Sequence, residues 1–249
     1  MTTLQKFAFL ALAICLAIGL WAFTPAANAP SLKGAWLLVS EDASTEQTTW
    51  VFSDDYNSYT TFDIEKKQFV GTRGGKYSST GNAFSEMREF DTWDSEKVGI
   101  EDLCECTWND AMDEVSITCG KDNKQTAQTW KRIDDGSADL AGAWQITQRM
   151  REGEMQEIMR RGTRKTVKLL SSTRFQWIAI DPGKSAFYGT GGGTYTFEDG
   201  VYTEHIEFFS RDSSRVGMSL SFEGKVTDDD WHHSGKSSKG KPISEVWSR

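Results

Sequence analysis

Apolar and polar positions alternate along most of this chain in short runs that recur about every ten residues, the pattern of an all-β protein. In the first half these are Gly34-Ala35-Trp36 with the residues after it, Thr48–Phe52, Tyr56–Phe62, Gln68–Tyr77, Ala83–Phe90, Val98–Thr107, Glu114–Cys119 and Gln125–Arg132. Turn-forming clusters such as Ser53-Asp54-Asp55 and Asp94-Ser95-Glu96 separate them. The second half restarts at Gly142-Ala143-Trp144 and runs to Ile243–Trp247, so each half predicts eight strands. No segment sustains a 3.6-residue period. Residues 149–165 break the alternation: Arg149, Arg151, Arg160, Arg161, Arg164 and Lys165 surround Glu154–Met159. A short helix or an ordered loop at a barrel mouth fits this stretch, either as a solvated excursion or as a lid or partner surface.

The two halves are copies of one unit. Residues 69–99 and 187–217 align without gaps at an offset of 118. Both begin Phe-x-Gly-Thr-x-Gly-Gly, carry Glu-x-x-Glu-Phe and end Val-Gly. The boundary is the polar stretch Asp134-Asp135-Gly136-Ser137, which gives domains at 30–136 and 137–249. Gly74-Gly75 and Gly191-Gly192-Gly193 fall inside strands, where glycine marks a bulge, a sharp bend or a close backbone approach. They open no helix, which argues against a phosphate loop.

Each copy also opens with Gly-Ala-Trp and closes with Trp-x-Arg: Trp36 with Trp130 and Arg132, Trp144 with Trp247 and Arg249. This resembles the calycin pattern, in which the first-strand indole closes the barrel floor beneath a late arginine. Residues 139–249, through FYGTGGGTYT, YTEHIEFFSR and WHHSGKSSKG, most resemble lipocalin-like domains of uncharacterised secreted or membrane-associated bacterial proteins. Residues 31–133 match more loosely. The resemblance implies two antiparallel lipocalin-like β-barrels in tandem, each a candidate for an internal cavity. It implies no catalytic residues, and a fold does not settle a function.

Charge and the termini narrow the picture. The net charge is −8. Residues 30–136 hold 21 acidic and 11 basic side chains, a net of −10, and residues 137–249 hold 15 and 16, a net of +1. Nucleic acid is a poor partner for such a chain. Residues 7–23 are an unbroken apolar run followed by Ala27-Asn28-Ala29, so residues 1–29 read as a signal peptide for export to the periplasm or beyond. The alternative is an uncleaved membrane anchor. Export would favour a disulfide. A hairpin folded near 111–112 sets Cys104 opposite Cys119, with Cys106 on the same face as a competitor.

The candidate chemistry lies in the second copy. Alternation puts Tyr202, Glu204, Ile206 and Phe208 on one face, with His205 and Glu207 on the other. His232 and His233, being adjacent, point to opposite faces. Trp177, Tyr188 and Tyr195 offer amphipathic rings. These eight residues, Trp177, Tyr188, Tyr195, Glu204, His205, Glu207, His232 and His233, are the predicted ligand contacts. Glu204→Gln, His205→Ala and Tyr188→Phe are expected to weaken binding and spare folding. No spacing fixes a metal site or a catalytic set, and no cofactor is expected. The leading expectation is a non-catalytic module for a small apolar or amphipathic molecule. The alternatives are a cell-envelope structural or interaction module with filled barrels, meeting a protein partner through 149–165, and an enzyme using Glu204 or His205.

Overall fold

The computed structural model describes residues 30–40, 44–120, 127–159 and 162–249. The expected export segment, residues 1–29, lies outside the described residues, as do Arg160 and Arg161. The first copy is built from β1 (Gly34–Leu38), β2 (Glu46–Phe52), β3 (Tyr56–Asp63), β4 (Gln68–Ser79), β5 (Ala83–Asp91), β6 (Glu101–Trp108), β7 (Glu114–Cys119) and β8 (Gln128–Asp134). Each strand pairs antiparallel with the next, and β8 returns to β1 to close the barrel. The second copy comprises β9 (Gly142–Arg151), β10 (Glu154–Glu157), β11 (Lys165–Leu170), β12 (Arg174–Asp181), β13 (Ala186–Glu198), β14 (Val201–Phe209), β15 (Ser219–Thr227), β16 (Asp230–Lys236) and β17 (Pro242–Ser248). Here β17 pairs with β9 to complete the second barrel. The protein is therefore all-β, with two eight-stranded antiparallel barrels. The extra strand, β10, corrects the reading of 149–165 as a helix or loop: β9 runs on to Arg151 and turns through Glu152-Gly153 into a β-hairpin.

Each barrel is shut at one end by its Gly-Ala-Trp motif. Trp36 Nε1 donates to Leu32 O (2.7 Å) and Trp144 Nε1 to Leu140 O (2.8 Å). The Arg132 and Arg249 guanidiniums lie 4.1 Å from the Trp36 and Trp144 ring centroids. Such stacking contributes about 0.5–2 kcal/mol. The same arginines donate to the backbone carbonyls of Lys33 and Ala141, tying the last strand to the start of the first. Trp130 and Trp247 stand inside the two barrel cores. Cys104 and Cys119, paired across β6 and β7, form a disulfide, and Cys106 remains a buried thiol. Burial pushes that thiol up to about 12, which leaves it unreactive.

The glycine strands explain a break in the alternation. Gly192 pairs with Phe208 but Gly193 pairs with Ile206, so Glu207 is the extra residue of a bulge. A Cβ on Gly193 would fall 2.0 Å from the His205 carbonyl oxygen, which is why the position must be glycine. The bulge turns Phe208 outward and brings Phe209 to the inside, correcting the expectation that Phe208 shares a face with Tyr202, Glu204 and Ile206. The first copy repeats the device at Gly74 and Gly75.

The outward phenylalanines belong to a third core, shared by both barrels. Ala35, Val51, Tyr56 and Phe90 of the first copy cluster with Val167, Leu169, Ile178 and Ile180 of the second. Phe62 packs on Phe208 at 4.9 Å, and the equivalent residues Phe69 and Phe187 stack on each other at 6.3 Å. Contact between equivalent positions makes the interface approximately two-fold. At its centre Gln176 accepts from Thr60 Oγ1 (2.9 Å) and donates to the equivalent Thr72 and Thr190 hydroxyls (3.1 and 3.0 Å). The Asp134 carboxylate clamps the second barrel through Ser171, Ser172 and Thr173.

Candidate functional site

At the end opposite the Trp144 closure, the second barrel opens into a cavity of about 550 Å³. Its deepest polar feature is an ion pair. Lys168 Nζ lies 2.8 Å from Glu204 Oε1, and both side chains are buried. Lys168 is on β11, where neighbouring positions point alternately into and out of the barrel. Its ammonium is 5.0–5.1 Å from the ring centroids of Trp231, Tyr202 and Trp247, and 6.0 Å from Phe175. Aromatic faces and one carboxylate thus replace water around the cation. Burial, reinforced by the Glu204 charge, drives the Tyr202 phenol well above its ordinary value, so it is a neutral hydroxyl.

His233, on β16, enters the same floor. It is 3% exposed, its ring is 4.1 Å from that of Phe222, and neither ring nitrogen has a hydrogen-bond partner among the described residues. Glu245 Oε2 stands 3.8 Å from Nδ1, beyond hydrogen-bonding distance. That carboxylate is engaged by Arg149 (2.7 Å) and Trp247 Nε1 (3.1 Å). Burial, then the nearby Lys168 charge, hold the imidazole well below its usual range. His233 is therefore neutral at pH 7, with both ring nitrogens buried in the floor. Above the floor the wall is apolar: Trp177, Ile206, Phe209, Leu220, Phe222 and Ile243. Arg149 and Lys241 lie at the rim.

Three of the eight predicted contacts, Trp177, Glu204 and His233, line this cavity. The other five are placed elsewhere. Tyr195 closes the barrel at the opposite end, its hydroxyl donating to Ser171 O (2.6 Å), as Tyr77 does to Ser53 O in the first copy. His205 is exposed on the outer face and hydrogen-bonds Ser219 Oγ (2.8 Å). Glu207, the bulge residue, pairs with Arg174. His232 points outward to solvent. Tyr188 lies outside the cavity, beneath the Arg164 guanidinium at 4.4 Å. Among the described residues, no three His, Cys, Asp or Glu side chains converge as a metal site would require. Sequence reasoning missed Lys168, since a lone lysine in a strand gives no sign of its partner. Phe209 was hidden by the bulge.

The first barrel carries the equivalent site with a different lining. Its mouth is a cleft of about 480 Å³ at the equivalent place. The positions of Lys168, Gly191, Ile206, Phe209 and Leu220 are held there by Trp50, Arg73, Arg88, Asp91 and Asp102. The Arg73 guanidinium stacks on Tyr59 (4.5 Å), and Arg88 bonds Glu86, Asp91 and Asp102 at 2.7–3.1 Å. Trp50 occupies the centre, in ring contact with Trp130 at 5.1 Å. Charge pairs and indoles thus stand at positions that apolar side chains line in the second barrel.

Residues 139–249 match the model of a family described as a domain of unknown function (DUF4488), a span that takes in the whole second barrel and its cavity. Among curated proteins none matches the chain.

Proposed function

We propose that this is a tandem lipocalin-like protein of the exported class, whose second barrel binds a small amphipathic molecule without transforming it. The observation that carries this reading is the contrast between equivalent positions. The second barrel sets glycine and apolar side chains where the first sets Arg73, Arg88, Asp91 and Asp102. A cavity of about 550 Å³ with apolar walls and a few buried polar groups has the form of a small-molecule site. The ligand's apolar part would lie along Trp177, Phe209 and Leu220, above the floor that His233 helps to form. Catalysis has less support, because Glu204 is committed to Lys168 and His205 faces solvent on the other side of β14. The first barrel, with its charged mouth, acts as a docked partner.

The test uses the full mature chain and dodecanol, a neutral amphiphile, read by quenching of tryptophan fluorescence and by thermal shift. Saturable binding is expected, and Leu220→Trp, which fills the mouth, should abolish it with the melting temperature preserved. Absence of binding, or binding that Leu220→Trp leaves intact, would overturn the reading.

An interaction module remains the second reading. It is favoured by Met155 and Met159, exposed at 40% and 75% on and beside the β9–β10 hairpin, which suit a protein partner in the cell envelope. Pull-down with a Met155→Ser/Met159→Ser variant tests it.

A further inference from the structure

A second space adjoins the cavity. β9 and β11 pair only from Gly142–Leu170 to Gln145–Val167. Beyond that point β9 leaves to form the hairpin with β10, and the barrel wall parts. The slot is a cleft of about 450 Å³, and Arg149 and Thr166 line both it and the barrel cavity. The cleft and the cavity therefore meet at Arg149 and Thr166.

The slot is strongly basic. Arg149, Arg151, Arg164, Lys165 and Lys184 line it, and among the described lining residues Asp181 supplies the one carboxylate. Arg149 is bonded to Glu245, Lys165 to Glu89 across the barrel interface (2.7 Å), and Lys184 lies 3.7 Å from Asp181. Arg151 and Arg164 have no ion pair among the described residues. Glu154, opposite Arg151 in the hairpin, does not reach it. The Arg164 guanidinium instead lies over the Tyr188 ring, 4.4 Å from its centroid. Two guanidiniums without a carboxylate partner among the described residues, beside an apolar cavity, are suited to bind an anion bidentately.

We propose that this slot holds the anionic headgroup of a single-chain amphiphile whose apolar arm enters the second barrel between β9 and β11. The proposal rests on the cavity reading above. It adds the sign of the head, the residues that read it and the side of entry. Tyr188 then serves the ligand indirectly, by positioning Arg164.

The experiment compares the full mature chain with Arg151→Ala/Arg164→Ala, using dodecyl phosphate, dodecanoate, dodecanol and dodecyltrimethylammonium, each below its micellar concentration. Both arginines are exposed, so the variant should melt at the native temperature. Dodecyl phosphate or dodecanoate should bind about tenfold more tightly than dodecanol. The variant should lose that advantage while binding dodecanol within about twofold of the native chain. Rising salt should weaken the anions and spare dodecanol. Which anion binds better identifies the head as phosphate or carboxylate. Equal binding of dodecanol and both anions, preference for the ammonium, or an unchanged anion affinity in the variant would overturn the slot and leave the cavity standing. If none of the four binds, both readings fall.

Discussion

The Lys168–Glu204 pair decides how single substitutions in the site behave. Breaking a buried pair strands one charge and costs about 3–5 kcal/mol. Lys168→Met should therefore lower the melting temperature sharply, and Lys168→Met/Glu204→Leu should recover most of it; equal losses in a thermal melt would show that the pair is not the cause. The expectation that Glu204→Gln spares folding changes accordingly, because the substitution removes the counter-charge of a lysine enclosed by aromatic rings. His233 adds a pH dependence. An imidazole held below its ordinary pKa binds fewer protons folded than unfolded, so acid favours unfolding. Its contribution is full above about pH 6.5 and is lost as pH falls below that, toward the folded value. Melting temperatures from about pH 7 to about pH 5 should fall less steeply in His233→Phe than in the native chain.

At the scale of elements, the two glycine strands and the disulfide hairpin do different work. Gly193 allows β13 and β14 to approach so closely that any side chain strikes backbone, which cannot swing aside. Gly193→Ala should cost at least about 1–3 kcal/mol, the range for overpacking a core, and should weaken ligand binding by moving Phe209. A variant that melts normally would argue against the bulge. The Cys104–Cys119 bond closes a loop with a sequence separation of 15, worth about 3 kcal/mol in chain entropy. Cys104→Ser/Cys119→Ser should lower thermal stability while leaving dodecanol affinity unchanged, since no disulfide exists in the second barrel. Loss of binding would mean that the first barrel shapes the site.

For the molecule as a whole, the shared core makes the barrels one cooperative body. Val167, Leu169, Ile178 and Ile180 are buried against the first barrel and would face water in an isolated second half. Phe208→Ala should cost about 3–5 kcal/mol, as truncations of buried phenylalanine do, although Phe208 lies outside its own barrel. Calorimetry should show a single transition for the native chain, and two resolved transitions would refute the coupling. The separated halves should aggregate or melt lower than the intact chain.

The repeat and the all-β class were legible in the amino-acid sequence, because local alternation and motifs recurring at fixed spacing are read one strand at a time. The closing Trp–Arg stacks and the barrel order were what the calycin resemblance implied. Of the eight residues singled out for the site, Trp177, Glu204 and His233 line the cavity and five do not. What neighbouring strands settle between them emerged in the folded barrels. The bulge exchanged Phe208 for Phe209, because one unpaired residue reverses every side chain beyond it. Closure brought Lys168 to Glu204 from 36 residues away. Docking turned the outer faces of both barrels into core. Each of these depends on where a strand lies relative to another, and in a closed, docked barrel that relation is set by the whole assembly of strands.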